Sequence, residues 1–591
     1  MAENWNLNDI YTGFNSPEFT ADFEFLSPAV DEMNSLAANL GSFNDVARLV
    51  RLLEEYSAKL NKIGTYSHFV YSTDTSNSDA SKYMYLIETL DAQTSRTQVR
   101  LASYLCKIQA EDIANLARQH GIEHYTYWLT RIAEGYFHLL SEDEETIIAQ
   151  MSSTGSSAWE MMQSKLISTL TCEYTDPNDG ETRTININDC RNLAYDPSPQ
   201  VRKAAYEAEL AAYPKITEAV AAALNSIKGE VNLLTGLRHF ESPLAQTLFD
   251  SAMSQKTLDA MFQAIDQNIQ CFRDYLKAKA KYLSKPDGLP FYDLFAPVGK
   301  SSDKPLSYED AKAFVAENFG KFSPDMEKIA RLAFDNEWID VYPTDGKVSG
   351  AYCGDIYDIK QFRILLNYGG NLSDAITLAH ELGHGYHSMQ VMDAGILNSN
   401  YPMPLAETAS TFCETIVTSA ALSSLPDDAK LQLIENSLQD STQVIVDIYS
   451  RFLFEKNVFE ARKSHPLSVQ ELNDIMLDAQ RKAYGDGLDH SALHQYMWVI
   501  KPHYYSAGAS YYNFPYAFGH LLANGLYKIY EKDPASFGQK YDNFLQASGK
   551  MSISESCKLL GIDVESTEFW SDAIDVIKGD IKEFERLTKR P

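Results

Sequence analysis

The stretch Leu372-Ser373-Asp374-Ala375-Ile376-Thr377-Leu378-Ala379-His380-Glu381-Leu382-Gly383-His384 decides the reading of the chain. Its end is an H-E-x-x-H pattern. On a helix, residues four apart share a face, so the imidazoles of His380 and His384 can reach one metal ion. Glu381, beside the first histidine, can reach a water held at that ion. Ser373 is the expected N-cap, and Asp374 suits the positive end of the helix dipole. Ala375, Ile376, Leu378, Ala379 and Leu382 supply an apolar side, which predicts a buried helix. The chain has 13 histidines in 591 residues, so a chance match has a probability on the order of a few per cent. The pattern therefore needs a further ligand to carry a function.

A catalytic zinc usually takes three protein ligands and a water. Downstream of His384, Asn398, Ser399, Asn400, Pro402 and Pro404 make a turn-rich break. Leu405-Ala406-Glu407-Thr408-Ala409-Ser410-Thr411-Phe412-Cys413-Glu414 then resumes in helical style. Glu407, the first acid after the break, is the expected third ligand. Glu414 lies seven residues on, two turns along the same face, where a carboxylate can hold the free N–H of a ligating imidazole. A solvated helix acid reads equally well there.

Lys+Arg number 51 against 81 Asp+Glu, a net charge of −30. That argues against nucleic acid and anionic membranes as partners. The 45% hydrophobic and 12% aromatic content suffices for a large core. Seven scattered cysteines with no C-x-x-C read as reduced thiols. No secretion signal and no run of about 18 apolar residues is visible, so a soluble cytoplasmic protein is expected.

From Ser16 to about Gln119 the pattern is amphipathic and helical, and it continues to 171. Asp176-Pro177-Asn178-Asp179-Gly180 is a turn signal, and Thr182 to Ile187 alternates like a strand, which predicts a hairpin within 173–190. The expected domains are a helical lobe over 1–200 and a catalytic domain over 201–591. Thr257 to Leu283 and roughly 308–335 read as helices. Ahead of the motif the period changes to two, at Trp338–Tyr342, Ser349–Gly354 and Gln361–Tyr368. This predicts a small sheet feeding the motif helix. Its open edge, with Gly350, Ala351 and Tyr352, could hold an extended peptide by main-chain hydrogen bonds; a covered packing sheet is the other reading. His503 to His520 is rich in tyrosine and glycine. It offers donors for a developing oxyanion, or else an aromatic core.

Taken together, Thr377 to His384, Leu405 to Ser410, Pro502-His503-Tyr504-Tyr505 and Tyr512 to Gly519 resemble the oligoendopeptidase F branch of the thimet oligopeptidase family. Ser349 to Cys353 fits it too, and the region from His138 to Trp159 is similar to that branch's N-terminal domain. The resemblance spans about 115 to 585. It implies a mainly α, two-lobed, neurolysin-like fold around a deep channel that admits short unfolded peptides. It also implies one Zn2+ per chain on His380, His384 and Glu407, with Glu381 as the catalytic glutamate. His503 and a tyrosine, Tyr512 or Tyr516 with Tyr505 behind them, would face the substrate carbonyl. The activity implied is hydrolysis of internal bonds in short peptides, with Glu381 assisting a zinc-bound water. A zinc exopeptidase on a similar scaffold and a peptide-binding protein without turnover are the alternatives, and the oligomeric state is left open.

Overall fold

Helices dominate the computed structural model, which describes residues 4–299 and 305–589. A long helix, α1, runs over Phe43–Thr73. The hairpin forms as β1 (Thr171–Thr175) and β2 (Thr182–Asn186), with Cys172 opposite Ile185. Its turn closes through the Gly180 N–H to the Asp176 carbonyl at 2.8 Å, with Gly180 at φ +75°. That left-handed φ is one glycine reaches without steric cost. Two stretches read as continuous helices are each split. The first divides into Gln255–Asn268 and Gln270–Tyr282. The second breaks at Ser323-Pro324 into Tyr308–Phe322 and Pro324–Asp335. Proline lacks the N–H that would continue the ladder, and the Ser323 side chain accepts from Met326 N–H to start the second helix.

The period-two stretches become β3 (Ile339–Asp340), β4 (Tyr352–Ile356) and β5 (Gln361–Leu365), in the order β3-β5-β4. β5 lies parallel to β3 and antiparallel to β4, with Cys353 opposite Ile364. β4 is therefore an edge strand. It begins later than the sequence pattern suggested, because Gly350 sits at φ +87° and leaves the extended conformation. Phe362, Ile364 and Leu365 of β5 are fully buried. Arg363 is buried with them, its Nε donating to the Asn6 carbonyl at 2.8 Å and its guanidinium lying over Trp338.

The sheet leads into α2 (Leu372–Val391), which carries the motif, and α3 (Met403–Ser424) follows. The N-cap of α2 is Asn371 rather than Ser373. Its side chain accepts from Asp374 N–H at 3.1 Å, and Asp374 Oδ2 accepts from Asn371 N–H at 3.1 Å. This capping box requires an acceptor three residues on, which Asn371 has in Asp374 and Ser373 lacks in Ile376.

By packing, the chain forms two compact units of three segments each. One comprises Met1–Glu142, Asp303–Ala421 and Ile529–Ile562; the other comprises Asp143–Ser302, Leu422–Lys528 and Asp563–Pro591. These units follow contacts across the chain, whereas the 1–200 and 201–591 division is one of sequence. α1, the three-stranded sheet and α2 all belong to the first unit. All seven cysteines are free thiols. Among the described residues no helix is long and apolar enough to cross a membrane.

Gly385 fixes how α2 meets the sheet. A Cβ there would lie 2.6 Å from two ring carbons of Phe362, which is itself fully buried. Gly385→Ala is expected to destabilise the fold by about 1–3 kcal/mol through overpacking, read as a lower thermal midpoint. The loss should shrink in a Phe362→Leu background, where the ring is gone.

Candidate metal centre

Two helices build the centre, and Gly383 sets their separation. A Cβ on Gly383 would lie 2.7 Å from Ser410 Cα and 2.8 Å from the Ala409 carbonyl oxygen. The backbones of α2 and α3 thus touch where glycine leaves room. One turn from that crossing, the Nε2 atoms of His380 and His384 stand 3.1 Å apart. Glu407 Oε2 lies 3.5 Å from the first and 3.6 Å from the second. Atoms held about 2.1 Å from one ion at tetrahedral angles lie about 3.4 Å from each other. The three edges of the observed triangle bracket that value. His380, His384 and Glu407 are the one group of three such donors among the described residues placed to hold a metal ion.

The supporting carboxylate is present as well. His380 Nδ1 lies 2.6 Å from Glu414 Oε1, so the ring gives its outer N–H to the acid and turns Nε2 towards the centre. Ser410 donates to Glu407 Oε2 at 3.1 Å and to the Glu407 backbone carbonyl at 3.0 Å, steadying the carboxylate. Sequence reading passed over Ser410, although its position one turn after Glu407 was a usable signal. Gly383 was equally visible inside the motif without its role being apparent.

Glu381 is 5% exposed. Burial lifts its pKa to about 7, helped by Glu407 and Glu414 and opposed by His380. For His380, burial works against charge, yet the Glu414 hydrogen bond and the surrounding acids lift it to about 9. Burial and His380 hold His384 down at about 3. Three carboxylates around two imidazoles leave a surplus of negative charge that a divalent cation would neutralise.

The remaining site residues fall elsewhere. His503, Tyr512 and Tyr516 come together in the second unit. The His503 and Tyr512 rings stack 4.8 Å apart at 13°, and Tyr516 lies 6.0 Å beyond. All three are partly exposed. Tyr505 is not with them as a substrate contact. It is fully buried and donates its hydroxyl to the Trp498 carbonyl at 2.9 Å, so packing consumes it. Gly350 is exposed, and Ala351 and Tyr352 are partly so. The Tyr352 ring is committed inward, its hydroxyl donating to Ser72 Oγ at 2.9 Å and its face near His68 and Phe69. The Gly350 carbonyl accepts from Asn367 Nδ2 at 2.8 Å. The Asp355 carbonyl further along β4 is already taken by Thr65 of α1 at 3.3 Å.

The sequence matches the model of peptidase family M3 over residues 192–576, well over half of the chain. The chain belongs to peptidase family M3. A second model, described as oligopeptidase F, matches residues 105–171. Among relatives, this M3 peptidase is 23% identical over 590 residues to Oligopeptidase PepF of Bacillus subtilis, covering 99% of this chain and 87% of that one. It is 26% identical to an Oligoendopeptidase F homolog of Lactococcus lactis, covering 99% and 97%. Two solved structures share its fold. Oligoendopeptidase-F from Enterococcus faecium superposes with a TM-score of 0.72 at 19% identity over 97% of this chain and 99% of that one. PZ peptidase A with an inhibitor gives 0.70 at 14% over 95% and 97%. The mainly helical architecture with a small sheet is thereby that of oligoendopeptidase F structures.

Because, among the described residues, Glu414 alone holds the outer nitrogen of His380, Glu414→Ala should weaken metal-ion affinity about 10–100-fold while leaving the helical content unchanged. Competition against a chromophoric chelator, alongside circular dichroism, measures both.

Proposed function

We propose that this M3 peptidase is a zinc-dependent oligoendopeptidase that cuts internal bonds of short, unstructured peptides in the cytoplasm. The observation that carries the proposal is the triangle of His380 Nε2, His384 Nε2 and Glu407 Oε2, with edges of 3.1, 3.5 and 3.6 Å. Two imidazoles and one carboxylate make the donor set of a catalytic zinc site, which keeps its fourth position open. Those three residues would hold the ion, and Glu414 would orient His380.

Bound there, zinc would supply Lewis acidity and make a nearby water a better nucleophile at neutral pH. Glu381 takes a proton from the attacking water and gives it to the leaving amine nitrogen. Its burial suits that exchange, since a carboxyl lifted towards neutrality both accepts and returns a proton readily. Burial, then Arg451 and Lys501, hold the pKa of His503 below its usual value, and a ring N–H of its imidazole serves as a hydrogen-bond donor to the substrate carbonyl. Tyr512 or Tyr516 is the phenol that donates to the developing oxyanion. The remaining backbone groups of Gly350, Ala351 and Tyr352, where the edge strand β4 begins, would pair with the peptide main chain without regard to its side chains. The two family matches, 105–171 and 192–576, support reading the chain as an N-terminal domain over 1–200 and a catalytic domain over 201–591.

Glu381→Gln should retain zinc and lose turnover by orders of magnitude, whereas Glu407→Ala should lose zinc itself; metal analysis and peptide cleavage on the same preparations separate the two. Near-normal cleavage by the first variant, or full zinc occupancy in the second, would overturn the assignment. An internally quenched peptide blocked at both ends should be cut, and a chelator should stop it. Failure to cut it while free-ended peptides are trimmed would point to an exopeptidase. Of Tyr512→Phe and Tyr516→Phe, one should lower kcat by about 10²–10³ with little change in KM, and unchanged kcat in both would move the role elsewhere.

A further inference from the structure

A cavity of about 370 Å³ lies wholly within the second unit, whereas the metal centre belongs to the first. Its wall is aromatic. Tyr206 and Tyr292 face each other at 5.3 Å, and Tyr195 and Phe295 at 4.9 Å. Three cations, Arg191, Arg202 and Lys501, share its lining with Glu209, Asp440 and Asp447.

Most of these charges are spent on protein partners. Glu209 accepts from Arg191 and from the Tyr213 hydroxyl at 2.7 Å, with His494 Nε2 at 3.2 Å. Asp447 accepts from Arg451 Nε at 2.7 Å and from the Tyr484 hydroxyl at 3.1 Å. Arg202, only 2% exposed, gives Nε to Asp293 at 2.8 Å and Nη1 to the carbonyls of Asp196 and Pro197 at 2.6 and 3.0 Å. Its Nη2 makes no hydrogen bond among the described residues. Lys501 is the outlier. Among the described residues its ammonium has neither a hydrogen bond nor an ion pair, and the residue is partly exposed. Burial and then Arg451 hold its pKa down at about 8, with Asp447 and Glu209 only partly offsetting them.

A half-buried ammonium without a partner is costly to keep charged, and Lys501 lines a space with aromatic walls. Small-molecule sites have this makeup: a few hundred Å³, apolar and aromatic lining, and a small number of convergent polar groups. The lining carries three cations and three acids, and among the described residues Lys501 is the cation of the three with no protein anion within ion-pair distance. Ammonium and guanidinium groups both answer to carboxylate.

We propose that this cavity is a binding site for a small monocarboxylate with an aromatic or branched apolar body. The carboxylate pairs with Lys501, with Arg202 Nη2 as a further donor, and the apolar body lies against Tyr206, Tyr292 and Phe295. Glu209 and Asp447 are already held by Arg191 and Arg451, which leaves Lys501 to the ligand.

N-acetylphenylalanine is a suitable probe, and N-acetylphenylalaninamide is its uncharged control. Calorimetric titration of the full-length protein should show binding of the carboxylate with a Kd below ~1 mM and at least about tenfold weaker binding of the amide. Lys501→Met should weaken the carboxylate by about tenfold or more, and a saturating dose should raise the thermal midpoint of the wild type but not of the variant. That variant exchanges an unpartnered ammonium for an apolar chain of similar length, so it should fold. Tyr292→Ala, at a partly exposed wall position, gives an independent check and should also weaken binding. The proposal is overturned if the wild type gives no binding, if acid and amide bind alike, or if the affinity is the same in Lys501→Met and Tyr292→Ala as in the wild type. It is equally overturned if His380→Ala abolishes binding while Lys501→Met leaves it intact, because the probe would then sit at the metal centre.

Discussion

Everything at the metal centre depends on how closely two helices cross. Successive residues of a helix are turned about 100° from one another. Taking Gly383 as the origin, His380 and His384 fall at about 60° and 100°, Glu381 at about 160° and Gly385 at about 200°. Gly383 therefore faces α3, Gly385 faces the sheet, and the ligand face opens between them. Each glycine admits a neighbour that a methyl group would exclude, Ser410 and Ala409 on one side and Phe362 on the other. α2 is clamped on two sides, and the face between the clamps is the one that carries both imidazoles. Leu378, Leu382, Ala375 and Ala379 occupy the remaining arc and are buried.

The same wheel accounts for Glu381. It lies between the ligand face and the sheet side of α2, and its charge reaches Cys353 on β4. Burial against the sheet raises its pKa, and proximity to the histidines gives it the site. A carboxylate one residue away on either side would have either the apolar arc or a ligand position. The pattern H-E-x-x-H thus sets three directions at once: two that turn imidazoles to one point, and one for a carboxylate between that point and the sheet side of the helix.

Much of this was legible because helices and acids recur at fixed spacings. Glu407 was identified as the first acid of the helix after the turn, and Glu414 as its neighbour two turns on; both lie where that spacing puts them. The hairpin and the small sheet followed from alternation and turn residues. What escaped was decided by packing. Tyr505 and Tyr512 look alike in sequence, yet one is sealed in the core by the Trp498 carbonyl and the other is partly exposed. The Ser373 cap was a misreading of information that was present, since Asn371 with Asp374 three residues later is a complete capping box. The three-segment composition of each compact unit was beyond local patterns, because it depends on which distant segments share a core.

That composition still leaves the supporting residues of the motif close to it in the chain. The candidate ligands, Glu414, Ser410 and both clamping glycines come from 380–414, within one unit, so the integrity of the metal centre rests on packing inside that unit. The stacked His503 and Tyr512, with Tyr516 beside them, belong to the other unit, as do the buried pairs Lys228–Glu455 at 2.7 Å and Arg202–Asp293 at 2.8 Å. Buried pairs of this kind fix geometry more reliably than they add stability, because desolvation offsets most of their attraction. A unit whose interior charges are so consistently paired makes an unpaired Lys501 conspicuous. Among the described residues the buried cations of this unit, Arg202, Lys228 and Lys279, each have a protein anion, and against that pattern a cavity-lining ammonium without one is the argument for an anion from outside.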